Sequence, residues 1–219
     1  MQTDRRYLEL APDPQAWPPG DEANGVGRVL LFALNVPGYY SHPARLLSLM
    51  ICEDPDLNQK WDARYFEADT DFSLARCVSL IDAWQVDIIG LSVNIWNCSL
   101  YAELTRSLHD LDRRPLLVGG GQEVTNSVYD FLKTYPHYDY IIDGEGELPL
   151  RQLLLAWDPA LRDLKDKTLV SGLVYRQNEQ SIRNRPADVV SDLDQLPSPV
   201  LANMMPAGSD NKNGLGIML

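Results

Sequence analysis

The chain has 219 residues, 45% of them hydrophobic and 23% charged, which supplies enough apolar side chain for one folded domain of ordinary size. Its net charge of −12 excludes a surface built to bind nucleic acid, because such a surface needs clustered Lys and Arg. No apolar run approaches the roughly 20 residues of a membrane helix and the polar N-terminus has no apolar signal core, so we expect a cytoplasmic protein that binds neither nucleic acid nor a membrane.

The first part of the chain alternates between strand-like and helix-like segments. Residues 1–27 are rich in Pro, Asp and Gly without periodicity, and we interpret them as an N-terminal leader segment. Residues 28–34 form a continuous apolar run, which is typical of a strand buried on both faces of a parallel sheet. Residues 43–53 have the apolar spacing of a helix, residues 61–67 predict a second strand, and residues 72–85 predict a second helix.

The same alternation continues through the middle of the chain. Further strands are predicted at residues 87–92, 115–118 and 138–142, and further helices at residues 99–111, 124–135 and from residues 144–147 to about residue 157. Strands and helices that alternate with short connections favour an α/β fold, doubly wound around a mainly parallel sheet of five strands. The usual strand order for five such units is the Rossmann-like or flavodoxin-like order 2-1-3-4-5.

The C-terminal part of the chain has a different pattern. Residues 172–176 and 181–183 predict a small hairpin, which places the folded domain at residues 28–183. Residues 184–219 are rich in Pro and weakly patterned, as in an extended linker. Their last six residues, 214–219, form an apolar run that begins like a strand but has no evident pairing partner earlier in the sequence.

The loops that follow the predicted strands are where we expect a ligand, because open parallel sheets bind ligands beyond the carboxyl ends of their strands. These loops cover residues 35–40, 92–97, 119–124 and 143–147 and share glycines, small polar side chains and a few aromatic rings. The glycine triplet 119–121 weakens both helix and strand, which favours close approach of a ligand to the backbone. The alternative is that a doubly wound fold needs glycine wherever a strand turns into a helix.

The sequence lacks the motifs of several common binding sites. No GxGxxG follows the first strand and no GxxxxGK[ST] occurs, so the dinucleotide and phosphate-loop fingerprints are missing. Cys52, Cys77 and Cys98 are far apart and never form CxxC, which indicates structural thiols and no metal site. We predict neither a metal ligand nor a catalytic residue in this chain.

With these loops identified, the sequence resembles the cobalamin (B12)-binding domains that precede the catalytic domain of B12-dependent radical S-adenosylmethionine (SAM) enzymes. The matching pieces are Asp-Ile-Ile-Gly-Leu-Ser at 87–92, Leu-Val-Gly-Gly-Gly at 117–121, Tyr-Asp-Tyr-Ile-Ile-Asp-Gly-Glu-Gly-Glu at 138–147, Gly-Leu-Val-Tyr-Arg at 172–176 and Asp-Leu-Asp-Gln-Leu-Pro-Ser-Pro at 192–199. Each piece is weak alone, but their order over residues 28–199 is specific.

The resemblance implies a corrinoid in the crevice, with its nucleotide tail inserted between the sheet and a helix. Ser92, Val93, Asn94 and the 119–121 loop would line the tail pocket, while residues 35–40, Gly144 and Glu145 would border the corrin ring. The residues expected to contact the cofactor are Asn35, Val36, Pro37, Gly38, Tyr39, Tyr40, Ser92, Val93, Asn94, Trp96, Gly119, Gly120, Gly121, Gln122, Glu123, Gly144, Glu145 and Gly146.

Two departures from related proteins limit what the resemblance implies. The Asp-x-His-x-x-Gly motif of other cobalamin proteins is absent after the first strand, so no histidine ligand to cobalt is expected; Tyr39 and Tyr40 are the candidates for covering that face. The CxxxCxxC motif of radical SAM enzymes is absent as well. We therefore expect a chain truncated before that motif, whose [4Fe-4S] cluster and SAM belong to a missing or separate catalytic domain. The chain alone would not be catalytic, and its parent would be a methyltransferase.

Two other interpretations fit the same crevice. One is a stand-alone nucleotide- or flavin-binding α/β protein. The other is a corrinoid-carrying docking subunit that serves a separate catalytic protein through its two terminal segments, residues 1–27 and 184–219.

Overall fold

The structure, a computed structural model, describes residue 17, residues 25–204 and the backbone of residues 216–218. Most of the predicted leader and part of the predicted linker therefore lie outside the described residues. Within the described part of the chain, no helix is both long enough and apolar enough to cross a bilayer.

Strands and helices alternate through most of the described residues, and a hairpin and a short last strand follow them. In chain order the elements are β1 (Gly27–Asn35), β2 (Tyr39–Ser41), α1 (His42–Glu53), β3 (Trp61–Asp69), α2 (Leu74–Trp84), β4 (Ile88–Ser92), α3 (Cys98–His109), β5 (Leu116–Gly120), α4 (Gln122–Asn126), α5 (Phe131–Thr134), β6 (Tyr140–Ile142), α6 (Glu147–Ala156), β7 (Trp157–Asp158), β8 (Asp163–Leu164), β9 (Leu173–Gln177), β10 (Gln180–Arg183) and β11 (Gly216–Met218). Two 3₁₀ helices, Lys167–Leu169 and Leu193–Gln195, complete the list.

The central sheet has seven strands in the order β10-β9-β6-β5-β4-β1-β3. The five predicted strands occupy β3, β1, β4, β5 and β6 as parallel neighbours, which confirms the predicted order 2-1-3-4-5. The predicted hairpin, β9 and β10, continues the same sheet because β9 pairs antiparallel with β6. The five parallel strands are thus extended beyond β6 by β9 and β10, each of which pairs antiparallel with the strand before it in the sheet.

Local sequence signals account for where the helices begin. Ser41 precedes α1, and its hydroxyl accepts a hydrogen bond from the backbone N–H of Ala44 at 3.3 Å, as an N-terminal cap should. Pro43 in the first turn of α1 has no N–H to leave unpaired. Ser73 caps α2 in the same way, accepting from the N–H of Arg76 at 3.4 Å.

The helices cover the two faces of the sheet unequally. On one face, α2, α3, α4 and α5 pack over a core that includes Ile81, Leu104 and Phe131. On the other face, α1 and α6 pack over a core that includes Ile51 and Leu153. Two helices over a sheet this wide leave part of the second face without a helical cover.

The structure differs from the predicted helix at residues 124–135. Two short helices, α4 and α5, replace it, with a turn between them. The hydroxyl of Ser127 donates to the carbonyl of Glu123 at 2.6 Å, and a serine that bonds the backbone in this way competes with the helix. Asn126 and Thr125, which are weak helix formers, precede it.

The apolar run at residues 214–219 does have a pairing partner. Gly216–Met218 forms β11, which pairs in parallel with β2 along Tyr39–Ser41. Sequence patterns do not indicate this pairing, because β2 has only three residues and directly follows the short loop after β1.

Strands β1 and β4 separate at their carboxyl ends, and side chains from α3 take over the hydrogen bonds of β1 there. Their last paired residues are Phe32 and Leu91. Beyond that point the hydroxyl of Tyr101 accepts from the N–H of Leu34 at 2.9 Å and donates to the carbonyl of Phe32 at 3.0 Å. The amide of Asn97 donates to the carbonyl of Leu34 at 2.9 Å. The end of β1 therefore stays in place while β4 turns away.

Substitution of Tyr101 with Phe should lower the free energy of unfolding by about 1–3 kcal/mol, because it leaves the buried N–H of Leu34 without an acceptor. Urea unfolding followed by circular dichroism would measure the difference. Tyr129→Phe is the matched control, since Tyr129 is 75% exposed and should change stability little. Equal stabilities of the two variants would contradict the role given to the Tyr101 hydroxyl.

Candidate functional site

A cavity of about 660 Å³ opens at the carboxyl ends of the central strands. One wall is the sheet, with residues from β1, β4, β5 and β6, and the opposite wall is formed by α1 and α6. The glycine-rich loops after β5 and β6 surround its mouth. The cavity lies between the second face of the sheet and these two helices, next to the point where β1 and β4 separate.

The cavity exists because small residues occupy one face of β4 and β5. Leu31, Gly90 and Val118 stand in register across three neighbouring strands, so the middle of this row has no side chain. Alternate residues of a strand point to the same face, so the next row contains Ser92 and Gly120, which are also in register. No heavy atom lies within 4 Å of the position that a Cβ of Gly120 would take. Two glycines and a serine thus leave a hollow where larger side chains would fill the space.

Polarity changes with depth in the cavity. The polar lining residues lie near the carboxyl ends of the strands: Ser92 at the end of β4, Asn94 in the loop after it, Gln122, Thr125 and Asn126 of the short helix α4, and Glu145 and Glu147 before and at the start of α6. Both α1 and α6 start at the carboxyl edge of the sheet, so Leu47 and Leu150 lie deeper than the residues at the starts of these helices. No Lys, Arg or His lines the cavity. The cavity therefore has a polar, acidic mouth and an apolar interior.

Gly121 joins the two central loops at the mouth. Its φ of +114° belongs to a region that L side chains rarely adopt, and a Cβ would lie 2.5 Å from the carbonyl oxygen of Val93. The N–H of Val93 donates to the carbonyl of Gly120 at 2.7 Å, and the N–H of Glu123 donates to the carbonyl of Val93 at 3.3 Å. The loop after β4 and the loop after β5 are therefore held together by backbone contacts that only glycine allows.

Half of the residues predicted from the sequence line this cavity. They are Ser92, Asn94, Gly119, Gly120, Gly121, Gln122, Gly144, Glu145 and Gly146. They come from three separate loops, which the parallel topology brings to one edge of the sheet.

The other predicted residues lie around the cavity without lining it. Val93 is fully buried behind the mouth, and Glu123 is half-buried on α4. Trp96 is half-buried, and its indole Nε1 is buried with no hydrogen-bond partner among the described residues. The remaining six form the β1–β2 loop, in which Val36, Pro37, Gly38 and Tyr39 are exposed, Tyr40 is half-buried and Asn35 is buried.

Asn35 and Tyr40 belong to a buried charged cluster that the sequence did not indicate. Arg45 of α1 is 7% exposed, and its guanidinium lies 5.1 Å from the ring centre of Tyr40 and 5.0 Å from that of Tyr65. Its Nε donates to the carboxylate of Glu67 at 2.7 Å. The same carboxylate accepts from the side-chain amide of Asn35 at 3.0 Å. This cluster fixes the β1–β2 loop beside the cavity.

Other lining residues were missed by sequence reasoning. They are Leu31, Phe32, Pro43, Ala44, Leu47, Gly90, Leu91, Val118, Thr125, Asn126, Ile142, Glu147 and Leu150. Gly90 carried a usable signal, because a glycine inside an apolar strand marks a bulge or the close approach of another group. The apolar residues carried none, since a side chain that faces a cavity and one that faces the core have the same pattern.

Metal and thiol chemistry have no evident basis in the described residues. No group of three or more His, Cys, Asp and Glu side chains among them is arranged to hold a metal ion. Burial raises the pKa of the Cys77 thiol to about 12, so this cysteine stays protonated near neutral pH. None of the residues that line the cavity is a cysteine.

Curated proteins that resemble this chain match it over about half of its length. The 2-(S-pantetheinyl)-carbapenam-3-carboxylate methyltransferase of Streptantibioticus cattleyicolor is 31% identical over 119 residues, which are 54% of this chain and 17% of that protein. The cobalamin-dependent radical SAM methyltransferase TokK of Streptomyces tokunonensis is 29% identical over 119 residues, with the same two shares. The matched region is therefore less than a fifth of each relative.

The fold also matches a solved structure. The cobalamin-dependent S-adenosylmethionine radical enzyme OxsB, with aqua-cobalamin and S-adenosylmethionine bound, aligns with a TM-score of 0.64 and 21% identity. The alignment covers 82% of this chain and 25% of OxsB. At this identity the match shows a shared α/β fold with a mainly parallel sheet.

A family model decides the assignment. The model of the B12 binding domain matches residues 39–154, which run from β2 to α6 and include most of the cavity walls. This match covers just over half of the 219 residues. The chain belongs to the B12 binding domain family.

Proposed function

We propose that this chain is the cobalamin-binding module of a B12-dependent radical SAM enzyme, and that the complete enzyme is a methyltransferase. The observation that carries the proposal is the cavity between the sheet and helices α1 and α6, at the carboxyl ends of parallel strands. Family membership supports cobalamin as its ligand. The relatives that share this region are named as methyltransferases, which supports the activity.

The residues present fit the nucleotide tail of cobalamin. The tail ends in a flat aromatic base, and the deep walls are apolar, with Leu47 and Leu150 on the helical side. Gly120 leaves on the sheet side open space that a flat group would take, and Leu31 lies over Gly90 beside it. The cavity volume, about 660 Å³, falls in the range of small-molecule sites, roughly 300–1,000 Å³.

Each predicted residue has a proposed part in holding the cofactor. Ser92, Val93, Asn94 and the 119–121 loop would hold the tail, with Gln122, Glu123 and Gly146 at the mouth. The β1–β2 loop, residues 35–40, would border the corrin ring together with Gly144 and Glu145, and Trp96 would stand beside the ligand edge. Bound cobalamin would supply methyl-transfer chemistry at its cobalt ion, while this chain would bind and orient it and keep water from its tail.

The SAM-dependent part of the reaction belongs to another domain or another protein. The three cysteines of this chain do not form the cluster motif, so a [4Fe-4S] cluster and SAM would be held elsewhere. The matched region covers 17% of the carbapenam methyltransferase and of TokK, which leaves ample length in such proteins for a catalytic domain. We propose such a domain as the partner of this module.

The charge of the lining argues against a nucleotide site. Glu145 and Glu147 contribute carboxylates at the mouth, and no cation lines the cavity to offset the charge of a diphosphate or triphosphate. The tail of cobalamin carries a single phosphodiester, so it meets less repulsion.

The purified chain should retain about one equivalent of hydroxocobalamin after desalting, because the cavity encloses the tail of the ligand. Ultraviolet–visible spectra of the desalted protein would measure the retained corrinoid. Parallel samples with flavin mononucleotide and NAD should come out colourless and free of nucleotide. Retention of flavin in place of corrinoid would contradict the proposal.

Substitution of Gly120 with Val should weaken cobalamin binding by about tenfold or more, because the new side chain would enter the open space beside the cavity wall. Val suits a strand and its Cβ would meet no heavy atom within 4 Å, so the thermal unfolding midpoint should not fall. Isothermal titration with hydroxocobalamin would measure the affinity. An unchanged affinity in a folded variant would show that the tail does not occupy this space.

A further inference from the structure

The deep part of the cavity is apolar on both walls. On the sheet side, Leu31, Gly90 and Val118 form one row across β1, β4 and β5. On the helical side, Leu47 of α1 and Leu150 of α6 face this row. These five residues give the two walls no polar side-chain atom at this depth.

The polar groups of the lining are separated from this region along both walls. Val118 lies two residues before Gly120, the last residue of β5, which places it about 7 Å below the strand end. Leu150 lies three residues after Glu147, the first residue of α6, which places it about 4.5 Å further along the helix axis. The polar lining side chain nearest on α6 to a group held between Val118 and Leu150 is that of Glu147, one helical turn away.

Natural corrinoids differ in the base at the end of the nucleotide tail. Dimethylbenzimidazole, the base of cobalamin, has two methyl groups and a single free ring nitrogen. Adenine, the base of the adeninyl analogue, has an amino group and additional ring nitrogens. Burial of such groups without hydrogen-bond partners is unfavourable, and each one adds to the cost of binding.

We infer that this cavity selects corrinoids by their lower base, binding an apolar benzimidazole base and discriminating against adenine. The inference rests on the proposed function, because it assumes that the nucleotide tail enters the cavity. The side chain of Leu31 lies over Gly90, because a Cβ at Gly90 would lie 2.8 Å from Cδ1 of Leu31, so the sheet wall is hydrocarbon there. The selectivity belongs to Leu31, Gly90, Val118, Leu47 and Leu150 together, and to none of the polar residues at the mouth.

The test compares three corrinoids on the purified full chain by isothermal titration or by spectral titration after desalting. Hydroxocobalamin should bind about 10–100-fold more tightly than its adeninyl analogue, in line with the discrimination that an apolar pocket achieves against added polar groups. Cobinamide, which has the corrin ring without the nucleotide, should bind more weakly than cobalamin because it leaves the cavity empty.

Val118→Thr tests the cause of the selectivity. Thr has nearly the shape of Val and adds one hydroxyl to the deep wall, so adenine gains a partner there. The affinity for cobalamin divided by the affinity for the adeninyl analogue should fall by about threefold or more, and the affinity for cobinamide should be unchanged. Val174→Thr is the matched control: Val174 is 1% exposed against 2% for Val118, but it belongs to the core on the other face of the sheet, so its substitution should leave the ratio unchanged.

The outcomes separate this inference from the proposed function. Equal affinities for cobalamin and the adeninyl analogue would overturn the selectivity and leave the cobalamin module intact. An equal change of the ratio in the two Val→Thr variants would overturn the assignment to the cavity wall. If no corrinoid is retained at all, both the proposed function and the inference that rests on it are contradicted.

Discussion

The site depends on one constraint, which is that two inner strands of a parallel sheet have almost no side chains on one face near their carboxyl ends. Gly90, Ser92 and Gly120 occupy the positions where a doubly wound protein of this size would ordinarily place Val, Ile or Leu. Such large residues there would pack against α1 and α6 and close the second core into a continuous layer. Because they are missing, a hollow remains between the two helices and the carboxyl ends of β4 and β5.

A hollow in a sheet face is useful only if its rim keeps its shape. Here the rim is fixed by contacts that do not depend on a ligand. Tyr101 and Asn97 hold the end of β1 after β4 has turned away, and both are nearly fully buried. On the other side of β1, Arg45 and Glu67 hold the β1–β2 loop. Arg151 of α6 pairs with Asp54 after α1, which ties together the two helices that enclose the cavity.

The sequence was sufficient to predict the strand order and many of the residues at the mouth of the cavity, because both follow from simple periodicity. Apolar runs that alternate with helical patterns require a parallel sheet, and a parallel sheet brings the loops after its strands to one edge. The sequence was insufficient to predict which residues form the walls of the cavity. Leu47 and Leu150 have the spacing of core residues whether they face core or cavity. Arg45 is buried beside the ring of Tyr40 and beside Glu67 and Tyr65, and the last two are distant from it in sequence. The break between α4 and α5 depends on a single hydroxyl bond of Ser127.

The two outermost strands of the sheet, β3 and β10, have a consequence for the behaviour of the protein in concentrated solution. An exposed strand edge is a template for pairing with another molecule, and this hazard is greatest for long apolar strands. The long outer strand β3 carries Asp62, Arg64, Glu67 and Asp69, and β10 is only four residues long and ends in Arg183. Because the antiparallel hairpin covers β6, whose three residues are all buried and apolar or aromatic, the strand most prone to self-association lies inside the sheet. The arrangement of the outer strands thus protects the molecule from edge-to-edge aggregation while leaving the carboxyl ends of the inner strands open.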